Sequence, residues 1–381
     1  MIYILIALVA TAILWIPNTL NYQRRENRLK ISTAVLNVVN GISFSIIFLL
    51  FSFVAGARYF VGTDFKTYTL HQIPQALYGI TKNQYDVEFF YNRLIKLGVA
   101  IGGGSYQYVF VLTHVVIMFF ICKYIYDRSL NYPLSIFIFV FSTFFNFSLN
   151  GMRQSIATAI FLYSTKYIVK RKPAKYFVMI LIAILFHKSA IIFVPFFLFS
   201  YFDLKKSRRL IIGLFISSPI VLMSLNAIHN IVYRISVKFN FYTKFFGSMY
   251  DTGTVSNMNI MLLLANLLIT VIVYLIYSED KKVRLKDGEN IANAITVDYN
   301  IQVVATIFSL ISFAIPGSFR VFYMFMPIQM TLIANVFYLY KNKSMKIALL
   351  SGILLMYAII FFIIIILWNQ NETLPYISVF Q

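Results

Sequence analysis

Three arginines and a histidine-lysine pair stand at the edges or in the middle of apolar stretches, where charged side chains are rare. Arg58, Arg153 and Arg320 each border a long apolar run, and His187 with Lys188 interrupts another. A guanidinium forms bidentate hydrogen bonds to phosphate oxygens, and a helix that begins beside it adds its positive dipole end. The set therefore predicts a cradle for phosphate or pyrophosphate. The alternative is that each arginine only reaches lipid headgroups from a helix end.

Few residues could supply a proton acceptor for the same site. His187 is an ionisable group deep in an apolar run, which indicates function, although a neutral histidine bonded between helices has the same pattern. Asp64 follows Arg58 closely and could share its site, pair with it, or cap a turn. Glu88 is the third candidate base. The spacing Asp86-x-Glu88 is too weak a carboxylate pattern to predict a metal site, so none is expected.

Composition places these residues in a membrane protein. Of the 381 residues, 60% are hydrophobic and 12% are charged, which is typical of chains that cross a membrane many times. The net charge of +20 does not indicate a nucleic-acid partner, because Lys and Arg lie in short clusters between apolar runs. The single cysteine, Cys122, excludes an internal disulfide. No nucleotide-binding motif is present, and no cofactor is predicted.

The apolar runs predict an all-α polytopic membrane protein with about ten transmembrane helices in a single transmembrane domain, 1–381. With the N- and C-termini outside, 22 of the 33 Lys and Arg residues fall in cytoplasmic segments, as the positive-inside rule requires. This topology gives outer loops over 57–104 and 229–257 and a cytoplasmic loop over 278–299. The runs are 2–17, 33–55, 106–122, 133–149, 153–168, 209–228, 258–277, 301–317, 319–340 and 347–368.

One further apolar run, 175–201, does not fit a simple crossing. It lies between two basic segments, 170–172 and 205–209, which should both be cytoplasmic. We therefore predict a re-entrant helical hairpin that turns at His187-Lys188-Ser189, the only polar cluster in the run. Irregular backbone at that depth is stable only where protein buries it or where it lines a wet cavity. The turn is thus a second indication of a site.

Motifs spread over residues 56 to 376 carry a resemblance to a known family. They are Gly56-x-Arg58-Tyr59-x-Val61-Gly62-Thr63-Asp64-x-x-x-Tyr68, Glu88-Phe89-Phe90, Met152-Arg153-Gln154-x-Ile156-Ala157, Ala183-x-Leu185-Phe186-His187-x-Ser189-Ala190, Arg320 and Leu374-Pro375-Tyr376. This pattern resembles the EpsG family of exopolysaccharide proteins, which is similar in role to the Wzy polymerases. Ala57 stands where that family more often has a larger apolar residue, a change that affects no candidate site residue.

The resemblance implies a multi-pass polysaccharide polymerase of the bacterial plasma membrane. Such an enzyme joins oligosaccharide repeat units carried on undecaprenyl pyrophosphate at the outer face and releases undecaprenyl pyrophosphate. Its expected partners are that lipid-linked oligosaccharide, membrane lipid, and a flippase and chain-length regulator of the same pathway. The implied roles are pyrophosphate binding by Arg58, Arg153, Arg320 and Lys188, base catalysis by His187, Asp64 or Glu88, and glycan binding by Tyr59, Tyr68 and Gln154.

Three other functions fit parts of the pattern. A flippase for the same unit would also bind pyrophosphate with arginines, but it would need a hydrophilic cavity open in turn to both sides. A membrane O-acyltransferase acting on glycans would suit a lone membrane histidine, although it would take an acyl donor from inside and the polar residues cluster outside. A structural scaffold predicts that substitutions at His187 and Arg153 impair folding and not product.

Overall fold

The computed structural model describes residues 2–79, 87–205, 207–239, 243, 246, 257–277, 289–312 and 319–380. In these ranges the chain is mainly helical, and Arg58 forms a β-bridge with Ser378. The α-helices are α1 (Ile2–Arg25), α2 (Thr33–Gly56), α3 (Phe65–Thr67), α4 (Ile73–Tyr78), α5 (Phe89–Ile101), α6 (Gln107–Arg128), α7 (Tyr132–Phe141), α8 (Phe144–Asn150), α9 (Met152–Val169), α10 (Pro173–Phe186), α11 (Arg208–Met223), α12 (Leu225–Lys238), α13 (Asn257–Tyr277), α14 (Glu289–Ile311), α15 (Phe319–Phe322), α16 (Gln329–Leu339) and α17 (Lys343–Phe361).

The helices α6 and α9 run side by side between two ends of the molecule. At one end, α6 and α9 both begin beside Arg58, whose carbonyl accepts from Gln107 at 2.9 Å and whose Nη2 lies 3.3 Å from Met152 Sδ. At the other end the same helices finish together, with Lys166 Nζ 2.9 Å from an Asp127 carboxylate oxygen. The end around Arg58 is called the site end below, and the end around Asp127 and Lys166 is called the basic end.

Seven described helices are long and apolar enough to cross a membrane, or up to nine if each bent pair is one crossing. This confirms the predicted all-α polytopic membrane protein. The seven are α1, α2, α6, α13, Ile291–Ile311 in α14, Arg320–Leu339 and Lys343–Leu367. α9, predicted as a crossing over 153–168, is outside this set because polar side chains lower its hydropathy. Several of them, including Gln154, Thr158 and Ser164, are buried against other helices.

The run 175–201 forms the predicted hairpin. α10 and the 3-10 helix Lys188–Ser200 meet at His187, whose extended backbone (φ −157°, ψ 114°) ends the α-helix. Arg171 donates to the Ser200 carbonyl at 3.2 Å, so the chain enters and leaves the hairpin at one level, next to the basic end. The 14 residues of α10 rise by about 21 Å, less than the ~30 Å of a hydrocarbon core. α10 thus carries His187 away from the basic end and is too short for a complete crossing.

Two predicted crossings are bent. α7 and α8 meet at 52°, where Thr143 takes a left-handed conformation (φ 66°) and its hydroxyl lies 2.8 Å from that of Tyr323. α11 and α12 meet at 81°, so α12 runs across the direction of α11. The outer loop predicted over 229–257 is therefore helical as far as Lys238. Apolar residues at helical spacing, Ile228, Ile231 and Ile235, account for this extension.

The other two predicted loops also contain helices. The segment 57–104 includes α3, α4 and α5, and α5 packs against α6. The segment 278–299 is helical from Glu289, and its first part, 278–288, lies outside the described residues. Short polar helices without long apolar runs are easily taken for loops, because the periodicity that identifies a helix needs a longer window.

A buried polar network joins the helices of the C-terminal half. The Gln329 side-chain amide donates to Asn266 Oδ1 at 2.8 Å and to Gln302 Oε1 at 2.9 Å, while the Tyr357 hydroxyl donates to Gln329 Oε1 at 2.5 Å. These residues belong to α13, α14, α16 and α17. Interhelical hydrogen bonds of this kind select one packing arrangement in a membrane, where hydrophobicity does not distinguish one helix contact from another.

Candidate functional site

Glu88 is the centre of the candidate site. It directly precedes α5, and two other elements meet its carboxylate. Oε2 accepts from the guanidinium of Arg153 in the first turn of α9. Oε1 accepts from His187 Nδ1 at 3.2 Å and from the Lys188 backbone N–H at 3.2 Å, both at the apex of the hairpin. Only 9% of the Glu88 side chain is exposed, so one buried carboxylate holds a guanidinium and an imidazole side by side.

The surroundings of Glu88 keep it ionised. Burial would raise its pKa, but the hydrogen bond from His187 and the charge of Arg153 outweigh burial and lower that pKa to about 2. An ionised carboxylate only accepts hydrogen bonds, so His187 Nδ1 carries the proton in this pair. In the neutral tautomer with the proton on Nδ1, the other ring nitrogen, Nε2, has the lone pair. A carboxylate that fixes an imidazole in this tautomer is the arrangement that general-base histidines use.

Asp64 and Arg320 form a second, looser pair. Arg320 Nη2 lies 3.8 Å from Asp64 Oδ2, and 39% of the arginine side chain and 23% of the aspartate side chain are exposed. Burial raises the pKa of Asp64, and the charges of Arg320, Arg153 and Arg58 oppose that rise. Tyr68 lies between the two pairs, and its buried phenol oxygen accepts from the first backbone N–H of α9 at 3.2 Å. Both acidic side chains are close enough to Arg153 to respond to its charge.

Arg58 is completely buried. Its Nη1 donates to the Val61 carbonyl at 3.3 Å, its Nη2 lies 3.3 Å from Met152 Sδ, and its Cζ is 5.0 Å from the centre of the Phe110 ring. Burial lowers its pKa to about 10, and interactions with four tyrosine phenols oppose that fall. It stays charged at neutral pH. The direct pyrophosphate contact expected from the sequence is not available to Arg58 in this conformation, because none of it is exposed.

Residues near the C-terminus hold the segment that carries Arg58 and Asp64. The Tyr59 N–H donates to the Ile377 carbonyl at 2.9 Å, the Gly62 N–H donates to the Glu372 carbonyl at 2.9 Å, and the Val379 N–H donates to the Ala57 carbonyl at 2.8 Å. Leu374-Pro375-Tyr376 belongs to the family pattern, but the sequence alone indicated no role for it. The structure shows that this tail is the support for the segment 57–63.

Asn150 is a site residue that the sequence analysis missed. Its side-chain oxygen accepts from the Thr63 hydroxyl at 3.1 Å and from the Asp64 N–H at 3.2 Å, and its amide donates to the Asn371 carbonyl at 3.0 Å. Gly62 makes this close approach possible, because a Cβ there would lie 2.6 Å from Asn150 Oδ1 and its φ is 102°. The signal in the sequence was an Asn at the end of an apolar run, just before the Met152-Arg153-Gln154 motif.

The remaining predicted residues occupy different environments. Lys188 is exposed at the hairpin apex, and 47% of Tyr59 is exposed. Gln154 is buried, and its amide donates to the Arg320 carbonyl. Asp86 lies outside the described residues. Within the described ranges, no group of three or more His, Cys, Asp or Glu could hold a metal ion.

The structure defines a class: a many-helix membrane protein with a cationic, histidine-containing site at one end of its helices. The EpsG family model matches residues 41–378, a range that contains Arg58, Asp64, Glu88, Arg153, His187 and Arg320. The chain belongs to the EpsG family, a family of Wzy-like polysaccharide polymerases. This confirms the resemblance and supports a polymerase-type function. No curated protein and no solved structure matches the chain.

Proposed function

We propose that this chain joins oligosaccharide repeat units carried on undecaprenyl pyrophosphate, at the outer face of the bacterial plasma membrane. Family membership supports the polymerase class. The proposed substrate and reaction rest on one observation: the Glu88 carboxylate holds His187 and Arg153 together. A base and a cation side by side are the two groups that sugar transfer from a pyrophosphate donor requires.

The proposed step forms one glycosidic bond and breaks one bond to pyrophosphate. A hydroxyl oxygen of one lipid-linked glycan attacks the anomeric carbon of another, and its proton passes to His187 Nε2. The bond between the anomeric carbon and the pyrophosphate oxygen breaks, and its electron pair leaves with undecaprenyl pyrophosphate. Glu88 stabilises the imidazolium that forms, as a buried carboxylate does for other histidine bases.

Three side chains are the proposed ligands of the departing pyrophosphate. Arg320 is the most exposed of the three arginines, with 39% of its side chain exposed, so an anion can reach it. Arg153 presents its guanidinium beside Glu88, and Lys188 is exposed at the hairpin apex. In this proposal the buried Arg58 adds positive potential from below and does not touch the ligand.

The proposed glycan contact is Tyr59. Its exposed ring packs edge-on against Phe60, with ring centres 4.6 Å apart, and sugars commonly lie against such aromatic surfaces. Tyr68 and Gln154 are buried, so we propose that they position other residues and do not bind glycan. Tyr68 fixes the start of α9, and Gln154 fixes the backbone of Arg320. The other proposed partners are membrane lipid and a flippase and chain-length regulator of the same pathway.

The proposal is tested by polymerisation in vitro. Purified protein in liposomes receives the undecaprenyl-pyrophosphate repeat unit of its pathway, and products are resolved as a ladder on a gel. His187→Gln keeps a hydrogen-bond donor towards Glu88 but removes the base, so we expect ladder formation to slow about 10²- to 10⁴-fold. The matched control is His229→Gln in α12, because His229 makes no contact with Glu88 and packs on Phe246.

Two outcomes would overturn parts of this proposal. An unchanged ladder with His187→Gln would remove His187 as the base and leave Asp64 as the remaining acceptor. Movement of the lipid-linked unit between leaflets, with no ladder from the unaltered protein, would replace the polymerase with a flippase.

A further inference from the structure

A cavity of about 410 Å³ opens at the basic end, where the last turns of α1, α6 and α9 meet the start of α14. Its charged lining consists of Arg25, Asp127, Arg128, Lys166 and Lys170. The volume falls within the range of small-ligand sites, roughly 300–1,000 Å³. It lies at the opposite end of α9 from Arg153, so the reaction proposed above makes no use of it.

Two of the four cations in the cavity are paired with carboxylates. Arg128 forms an ion pair with the buried Asp298, and Lys166 Nζ lies 2.9 Å from Asp127. Arg25 has its Cζ 5.7 Å from the centre of the Tyr338 ring. Neither Arg25 nor Lys170 forms an ion pair within the described part of the chain. The cavity therefore has more positive charge than its own carboxylates balance.

The floor of the cavity is fixed by buried contacts. Arg128 is only 8% exposed, and its Nη2 also donates to the Ala294 carbonyl at 3.3 Å. Its Nε is buried and has no hydrogen-bond partner. Asn335 donates to the Arg128 carbonyl at 2.8 Å and accepts from the Leu130 N–H at 2.8 Å. A rigid floor under two exposed cations distinguishes this cavity from a set of independent surface lysines.

Helix dipoles alone do not account for the arrangement. A cation at the C-terminal end of α1, α6 or α9 complements the dipole of that helix. This effect explains why basic residues occur at each end, but it does not require that the ends enclose a common cavity. The helix-dipole effect also supplies no anion to pair with Arg25 and Lys170.

We propose that this cavity binds a phosphate-bearing group, supplied either by the headgroup of an anionic lipid or by a soluble phosphate compound. The phosphate oxygens accept hydrogen bonds from Arg25 and Lys170, while the remainder of the ligand contacts the apolar side chains of Val169 and Ile291 on the wall. Basic pockets between transmembrane helices hold anionic headgroups by this chemistry. Because the ligand connects the ends of α1 and α9, its binding stabilises the folded protein.

The experiment measures thermal unfolding of the full chain in neutral detergent by the fluorescence of its two tryptophans. One arm adds dioleoylphosphatidylglycerol, with dioleoylphosphatidylcholine as its neutral counterpart, and the other adds inorganic pyrophosphate. The variant is the double substitution Arg25→Gln with Lys170→Gln, which changes two exposed side chains and breaks no ion pair. The matched control, Lys172→Gln with Lys175→Gln, removes the same charge from exposed residues that do not line the cavity.

The ligand concentration that gives half of the maximal rise in unfolding temperature is compared between proteins. We expect that concentration to increase about fivefold for each cation removed from the cavity, and to stay unchanged in the control. Protection by phosphatidylglycerol alone identifies a lipid headgroup, and protection by pyrophosphate alone identifies a soluble phosphate. If neither compound protects, or if the control loses as much affinity as the variant, the proposal is wrong.

Discussion

Arg58 at the site end and Arg128 at the basic end are both buried, but their charges are balanced in different ways. Arg128 has a carboxylate partner, Asp298, which also accepts from the Thr331 hydroxyl at 2.8 Å. Arg58 has a carbonyl, a thioether sulfur and an aromatic face around its guanidinium. No carboxylate of the described residues forms an ion pair with Arg58. A buried cation without an ion pair is costly to fold, and such groups are often found where a site needs their charge. The difference favours the proposal that Arg58 serves the site, and it predicts a structural role for Arg128.

The largest effect on stability is expected from Arg128→Ala. This change leaves Asp298 buried without its partner and should lower the free energy of unfolding by about 3–5 kcal/mol. Unfolding in detergent, followed by tryptophan fluorescence, measures the loss. The double variant Arg128→Met with Asp298→Leu removes both charges and should recover most of the stability. If Arg128→Ala alone is as stable as the unaltered protein, the ion pair between Arg128 and Asp298 does not stabilise the fold.

Arg320→Ala tests the exposed cation of the site end. If Arg320 stabilises the charge that develops on pyrophosphate, polymerisation should slow about 10²- to 10³-fold, while the unfolding temperature stays unchanged. Arg93→Ala is the matched control, because this exposed arginine on α5 lies over the ring of Phe89 and contacts no site residue. Equal rates for Arg320→Ala and Arg93→Ala would remove Arg320 from the pyrophosphate site.

The substitution Arg58→Met is the most direct test of whether Arg58 and Arg128 have different roles. Methionine has a similar length and no charge, so the folded protein should be as stable as before or more stable, in contrast to Arg128→Ala. The loss of positive potential under the site should slow polymerisation about tenfold, and Arg58→Lys should retain part of the rate. A large loss of stability in Arg58→Met would show that the two arginines have the same structural role.

The smallest effect concerns the pH dependence of stability. The pKa of Glu88 in the folded protein, about 2, is lower than its ordinary value of 4.5, so its interactions stabilise the fold above pH 4.5 and are lost as the pH falls towards 2. The unfolding temperature of the unaltered protein should exceed that of Glu88→Gln by a constant amount between pH 7 and pH 5. That difference should shrink below about pH 4.5. A difference that is the same at pH 7 and pH 3 would exclude ion pairing as its source.

Local sequence patterns were sufficient to predict the hairpin. Two basic segments on either side of 175–201 required the chain to return, and His187-Lys188 was the only polar place for a turn. The bends between α7 and α8 and between α11 and α12 were not predicted. They depend on single residues such as Thr143, whose left-handed conformation is stabilised by contacts with distant side chains. Composition identifies an apolar run but does not show where it bends.

Contacts between side chains that are far apart in the sequence could not be predicted for a similar reason. Glu88 lies 65 residues from Arg153 and 99 from His187, and only the packing of α5, α9 and the hairpin brings them together. Arg128 was counted among the cytoplasmic basic residues, and Asp298 fell in a predicted loop, 170 residues away. The burial of Arg58 was not predicted either, because a charged residue beside an apolar run is expected at the membrane surface. Charge patterns predicted which residue types form the site, and tertiary packing decides which of them pair.

The tail that holds the segment 57–63 has a consequence for biosynthesis. Tyr376 donates to the Val54 carbonyl across 322 residues of sequence, and Ile377 and Val379 bond to the backbone on either side of Arg58. During translation α2 and Arg58 therefore emerge long before the residues that cover them. Until the tail is inserted, the segment with Arg58 and Asp64 lacks its support, so the site is completed only after the membrane helices have been made.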